Sequence, residues 1–249
     1  MSDALALTWR QYRLERKMFW RNPSAAFFNF VLPLLFLTLF GAIFAGSQQD
    51  LDVIVPGIAG MSIMTTTFVA LAMNMVFLRE QGVLKRLRGT PLPSGAYLGG
   101  LAAHAVTNTA IQLTIVIGAG ALIFDVGLPE QWAGLAIFVA GGVFCFAALG
   151  VALSHAIPNF DSAPAYVNAI FLPVIVISGV FYDADTAPAF LRDIAQALPL
   201  THLIDGLSAA MVTGAPFGEH LSDLAIVLIW AAGGAVLAVR GFSWEARRG

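Results

Sequence analysis

The sequence predicts an all-α membrane protein with six transmembrane helices. An amphipathic helix precedes them, a short cytoplasmic helix lies between spans 2 and 3, and short re-entrant helices lie between spans 5 and 6. Three observations lead there. Of 249 residues, 58% are hydrophobic and 11% charged, with a mean hydropathy of +0.80; a soluble domain carries roughly a quarter charged residues and just under half apolar ones. The apolar residues gather into runs near the ~20 residues a helix needs to cross a bilayer. Finally, 12 of the 13 Lys and Arg residues fall in segments that alternate spans leave on one side.

Composition excludes other classes. With 13 basic and 15 acidic residues, the chain cannot solvate the surface of a globule this size, which removes an ordinary cytosolic enzyme, a disordered chain and a nucleic-acid binder with a broad basic face. A single cysteine, Cys145, excludes an internal disulfide or a multi-cysteine metal centre. It sits in an apolar run, where a small packed side chain is the simple reading.

The first element is the helix over residues 5–21. Leu5, Trp9, Tyr12, Phe19 and Trp20 share a face at 3.6-residue spacing, and Arg10, Arg13, Lys17 and Arg21 form an adjacent basic stripe. Such a helix lies in the headgroup plane, rings inward and cations on anionic lipid. It anchors topology and is also placed to brace a cytoplasmic partner. Its long charged stretch, which includes Glu15, is unlike a cleavable signal peptide. The expected spans are 27–46, 53–78, 97–124, 132–153, 164–181 and 224–239, within one domain over 1–249. Pro33 and Pro173 inside spans predict kinks that neighbouring helices must satisfy. Cationic residues mark the cytoplasmic side: five lie before span 1, four between spans 2 and 3, three after span 6, and Arg192 alone lies opposite. Both termini are therefore expected in the cytoplasm.

Between spans 2 and 3 the chain reads REQGVLKRLRGTPLPSGAYL. Helix formers over 80–88 run into Gly89-Thr90-Pro91, and the helix would present Leu84 and Leu87 beside a basic edge. Helix–helix connections need only about 2–8 residues, so a charged helix with its own stop signal predicts a docking surface for a cytoplasmic protein. Its candidate residues are Glu80, Gly82, Leu84, Lys85, Arg86, Leu87, Thr90 and Pro91; the plainer reading is a positive-inside loop. After span 5, residues 190–198 and 202–209 have helical spacing but neither stretch can cross. Two short helices split near Pro199, packed against protein, fit this segment.

Inside the bundle, His104, Asn108 and Gln112 recur every four residues and share one face of span 3. They are either interhelical glue, worth about 0.6 kcal/mol each, or part of a substrate path. Met61, Met64, Met73 and Met75 in span 2 supply adaptable packing. An intramembrane hydrolase is disfavoured because no G-x-S-x-G occurs and no carboxylate falls within a span. An ion-coupled carrier or channel is the alternative, weakened by the same lack of a membrane-embedded carboxylate.

In Arg79-Glu80-Gln81-Gly82 with Leu84-Lys85-Arg86-Leu87 and Thr90-Pro91-Leu92, in Ser178-Gly179-Val180-Phe181, and in Leu198-Pro199-Leu200-Thr201-His202, the sequence resembles the membrane permease subunits of type-2 ABC exporters, including daunorubicin-resistance-like drug and lipid exporters. The resemblance runs through nearly the whole chain in order; relatives often carry an arginine near the place of Ser208. It implies a permease dimer in a bacterial plasma membrane, formed with a second copy or a homologous permease. Each permease would dock on a separate ABC ATP-binding subunit that holds ATP and Mg, and the pair would export a drug, lipid or glycan-like substrate. It also implies contacts with membrane lipids and none with nucleic acid. The residues agree that ATP is not bound here: a Walker A loop needs Gly before its Lys, and Arg16 precedes Lys17 while Leu84 precedes Lys85. No catalytic or metal-binding residue and no resident cofactor is expected in this chain.

Overall fold

The computed structural model describes residues 2–44, 47–89, 93–183 and 187–241, and among these every regular element is helical. Helix α1 (Ser2–Trp20) is followed by α2 (Pro23–Ile43). Helices α3 (Gln48–Met64) and α4 (Ala70–Glu80) form one rod, joined by a π turn at Thr65–Val69. A short α5 (Val83–Arg88) precedes α6 (Ser94–Phe124), α7 (Trp132–Ser154) and α8 (Ala163–Ile177). Then come α9 (Ala189–Ala195), α10 (Pro199–Ser208) with a π turn at Ala209–Thr213, a 3₁₀ turn at Phe217–His220, and α11 (Leu221–Gly241).

Local sequence explains most boundaries. The Ser47 hydroxyl accepts the Asp50 N–H at 3.2 Å and starts α3, satisfying one of the orphan donors of a helix N-terminus. Asp125, at φ +57°, ends α6 in the left-handed region, which Asp tolerates better than most residues. Pro164 and Pro199 sit in the first turns of α8 and α10, where no N–H is needed.

Among the described residues, five helical stretches are long and apolar enough to cross a membrane: Ala26–Ile43, Gln48–Glu80, Gly95–Phe124, Trp132–Ser154 and Phe217–Gly241. The apolar α8 has only 15 residues. The fifth expected span thus differs from expectation. Its helix ends at Ile177, Gly179 turns the chain at φ +74°, and Val180 and Phe181 leave the helix. Packing explains the turn, because Val180 is fully buried and Phe181 stacks on Phe40 at 4.5 Å. The first span also stops short, with α2 ending at Ile43.

The core centres on the α3–α4 rod, the most enclosed of the five stretches. At 33 residues it is about 50 Å long, well beyond the ~30 Å hydrocarbon layer. Ile54, Ile58, Met61, Ile63 and Met64 are buried there together with Phe138 and Phe146 of α7. Helix α10, too short to cross, is lodged among α3, α7 and α11 and contributes buried Leu200, Leu203 and Leu207. Close approach needs small residues: a Cβ on Gly57 would collide with the Val180 carbonyl, and one on Gly100 with the Gln11 side chain and the Tyr12 backbone.

Candidate functional site

The end of the α3–α4 rod carries Arg79 and Glu80. Arg79 is buried, and its guanidinium donates to the carbonyls of Ser154 at 3.0 Å and Ile157 at 2.5 Å. Ser154 ends α7 and its carbonyl is one of that helix's unsatisfied terminal acceptors, while Ile157 lies in the connection just beyond; a cation there also complements the helix dipole. Glu80 accepts the Phe160 N–H at 2.8 Å, and Phe77 meets the Phe160 ring edge-on at 5.4 Å. The Asn159 side chain accepts the Ser162 N–H at 2.9 Å and tightens the same turn. Adjacent residues of one helix thus clamp the α7–α8 connection.

Gly82 follows at φ +66°, and its N–H donates to the Arg79 carbonyl at 3.1 Å. This left-handed position ends α4 and restarts the chain as α5, a role suited to glycine. The expected continuous helix over 80–88 is therefore two helices: Glu80 closes α4, and α5 begins at Val83. Leu84 also departs from expectation. It is 2% exposed and packs in a small core with Leu71, Met75, Tyr97 and Leu101, because the apolar face of α5 covers the base of α4 and α6. Its side chain supports the segment from within, and the outward-facing residues are Glu80, Lys85 and Arg86. Arg86 donates back to the Gln81 carbonyl at 3.0 Å. The Leu87 side chain, Thr90 and Pro91 lie outside the described residues.

Polar groups also line the junction of α1, α2, α6 and the π turn. Gln112 is buried; its amide nitrogen donates to the Asn29 carbonyl at 2.8 Å and its oxygen accepts the Thr66 hydroxyl. His104 lies edge-on to Phe19 with ring centroids 5.5 Å apart, and Asn108 is 3% exposed. The row faces the interior of this chain, and it ties the π turn of span 2 to α2.

Helix α1 has three sectors rather than two. Thr8, Gln11, Tyr12, Glu15 and Phe19 form the stripe toward α6, where Thr8 lies beside Gly99, Gln11 beside Gly100 and Phe19 beside His104, and Thr107 donates to the Tyr12 hydroxyl at 3.3 Å. Leu5, Trp9 and Trp20 are exposed one sector over, followed by Arg10, Arg13, Lys17 and Arg21. Gln11 donates to the buried Glu15 carboxylate at 2.7 Å. Burial pushes the Glu15 carboxyl above its usual range, and the Gln11 hydrogen bond offsets this in part. Arg79, Gln11 and Glu15 were not candidates from sequence. A charged residue at a span end reads as a topology signal there, and a polar pair on an amphipathic helix reads as solvated.

A cavity of about 860 Å³ opens between the rod, α7, α8 and α11, lined by Phe68, Phe146, Ile170, Val174, Trp230 and Leu237, with His155 and Arg240 also on its wall. Its size and mostly apolar lining are those of a small-molecule site.

Comparison with known proteins gives the context. Residues 3–212 match the family described as ABC-2 type transporter. The transport permease YvfS of Bacillus subtilis (strain 168) is 24% identical over 222 residues, covering 85% of this chain and 88% of that protein. The daunorubicin resistance ABC transporter permease protein DrrB1 of Streptomyces coeruleorubidus is 26% identical over 215 residues, covering 82% and 72%. The inner membrane transport permease YadH of Escherichia coli (strain K12) is 23% identical over 186 residues, covering 71% and 72%.

Proposed function

We propose, from the premise that this chain belongs to the ABC-2 type transporter family, a working arrangement for it. Members of the family are transmembrane subunits of ABC exporters that work with ATP-binding subunits, and this chain is such a membrane permease subunit. In the arrangement we infer, two permeases form the path in a bacterial plasma membrane, each docked on one ATPase that holds ATP and Mg. A symmetric pair supplies the wall that six helices from one chain leave open. The sixth crossing is α8 extended by the turn over 178–181. Helix α1 is the interfacial elbow, with Trp9 and Trp20 toward lipid and Arg10, Arg13, Lys17 and Arg21 toward headgroups. Helices α9 and α10 form the re-entrant hairpin of the outer leaflet. All of this makes one domain, with both termini cytoplasmic.

The observation that carries the coupling assignment is the clamp made by Arg79 and Glu80. It fixes the base of span 2 to the α7–α8 turn through charge-assisted hydrogen bonds, which are stronger than neutral ones. A partner pressing on α5 would therefore move spans 2, 4 and 5 together. Glu80, Lys85 and Arg86, with Asn159–Ser162 beside them, form the docking face, and Gly82 and Leu84 hold its shape. The Leu87 side chain, Thr90 and Pro91, outside the described residues, are assigned to the coupling segment by their sequence alone. Within the bundle, the His104–Asn108–Gln112 row acts on the substrate path from behind: Gln112 grips Thr66, while Met64 and Phe68 on the same helix line the cavity. The apolar cavity, with Arg240 at its wall, supports an amphipathic drug, lipid or glycan-like substrate.

The test reverses the exposed charges with Lys85→Glu plus Arg86→Glu. The variant is expected to reach the membrane at parental yield, to recover at least tenfold less ATPase in co-purification and to lose ATP-driven transport. Parental co-purification and transport would remove α5 from the docking face. Transport by the parent that follows a proton gradient without ATP would favour an ion-coupled carrier.

A further inference from the structure

Two His-x-x-Asp pairs, distant in sequence, meet at the end of the bundle opposite Arg240. One is His202-Leu203-Ile204-Asp205 on α10; the other is His220-Leu221-Ser222-Asp223, where the 3₁₀ turn enters α11. The three-residue spacing puts each His and Asp on one helical face. His202 Nδ1 lies 2.7 Å from Asp223 Oδ1, and His220 Nδ1 lies 2.9 Å from Asp223 Oδ2. Ligand atoms of His202, Asp205 and Asp223 all lie within 4.8 Å of one another.

The tautomer of His202 makes this more than a polar cluster. Its Nε2 is 2.9 Å from the Gln196 backbone carbonyl, which can only accept, so Nε2 carries the hydrogen. In a neutral imidazole Nδ1 is then a bare lone pair, and it faces a carboxylate oxygen at 2.7 Å. At that distance a proton held between them satisfies both, and a metal ion would replace it once the pair opened to metal-ligand spacing. A ring nitrogen that donates to a backbone carbonyl is also the usual outer-shell support of a metal-bound histidine, and it leaves the other nitrogen free to ligate. The side chains of His202, Asp223 and His220 are 12%, 17% and 25% exposed, enclosed yet reachable.

We propose that His202 Nδ1, His220 Nδ1, Asp223 and Asp205 bind one divalent cation of the zinc class. Two imidazoles and two carboxylates suit a borderline ion, whereas Mg²⁺ and Ca²⁺ prefer all-oxygen sites. Metal bonds of about 2.0–2.2 Å in tetrahedral geometry set neighbouring ligand atoms about 3.3–3.5 Å apart. Binding would open the present 2.7 and 2.9 Å contacts to that spacing, draw in Asp205 from within 4.8 Å, and bring His220 over from its contact with Asp223. The ion would pin α10, lodged among α3, α7 and α11, to the start of α11, and so fix the hairpin against the last span.

The experiment uses the full-length chain, purified without a polyhistidine tag in lipid nanodiscs. Zinc retained after gel filtration is counted by mass spectrometry, and Co²⁺ is titrated by its visible absorption. The expected result is one zinc per chain and a tetrahedral Co²⁺ spectrum. Binding should fall to background in His202→Ala and Asp223→Asn, weaken at least tenfold in His220→Ala, and persist in Cys145→Ala. His220 lies in a turn with no buried residue, so its variant keeps the test open should the others misfold. Sub-stoichiometric zinc in the parent would mean that the bridging cation is only a proton and would overturn the site, as would retention unchanged in all three ligand variants. Metal content is read without transport, so failure here leaves the permease assignment intact.

Discussion

Glu15 illustrates how one residue changes meaning once its neighbours are known. On the isolated helix it is a surface carboxylate among cations; in the fold it is buried against α6 with Gln11 donating to it. Its carboxyl is raised above the usual value, first by burial, while the Gln11 hydrogen bond pulls the other way. A raised folded-state value means the folded protein binds the proton more tightly than the unfolded chain. That stabilising contribution is full below the ordinary carboxylate range and is lost as pH rises through the raised value. At neutral pH the ionised group therefore costs stability. Glu15→Gln keeps an acceptor for Gln11 and removes the charge, so it should raise the thermal midpoint at pH 7, with the gain shrinking toward pH 4. Detergent-phase melting curves of both proteins across pH check this; a gain that grows as pH falls would contradict the burial argument.

At the scale of elements, α5 separates folding from the proposed docking role. Leu84 belongs to the small core with Leu71, Met75, Tyr97 and Leu101, so Leu84→Ala should destabilise by about 2–5 kcal/mol, the range for a buried leucine. Chemical unfolding of the purified chain would measure it, and a loss below about 1 kcal/mol would mean the α5 face is not a true core. The Lys85/Arg86 reversal should leave that unfolding curve unchanged while weakening partner recovery. The apolar periodicity of this segment was legible in the sequence; the direction it faces was not. An amphipathic helix of six residues shows that something covers its apolar side, and the base of its own bundle is as suitable as a partner. The same holds for α1, whose ring spacing was readable but whose Gln11–Glu15 face depended on Gly99 and Gly100 arriving from another helix.

Across the whole molecule, the distribution of 12 basic residues against one predicts orientation. In a Cys145→Ala background, Gln49→Cys, Glu130→Cys and Glu219→Cys should react with an impermeant thiol reagent from outside intact cells, and Lys85→Cys should not. Labelling of the Lys85 position from outside would reverse the topology. The clamp at Arg79 and the proposed site at His202 lie at opposite ends of the bundle, which the proposed topology puts on the cytoplasmic and outer sides respectively. They are joined by the α3–α4 rod, which reaches from the basic end to the buried face of α10.

By itself the sequence determined the membrane class, the helical architecture and the positions of the long apolar stretches. These follow from hydrocarbon solvation, which acts on each segment separately: a run of about 20 apolar residues is stable as a helix in lipid whatever its neighbours. The family motifs were equally local, being short contiguous strings. Only the tertiary structure decided which side chains meet. It turned Leu84 inward, ended α8 at Ile177 so that Val180 could lie under Gly57, brought Arg79 onto the Ser154 and Ile157 carbonyls, and set His202 and His220 on the same Asp223 carboxylate. Those outcomes depend on close packing and on satisfying buried polar groups between segments far apart in sequence.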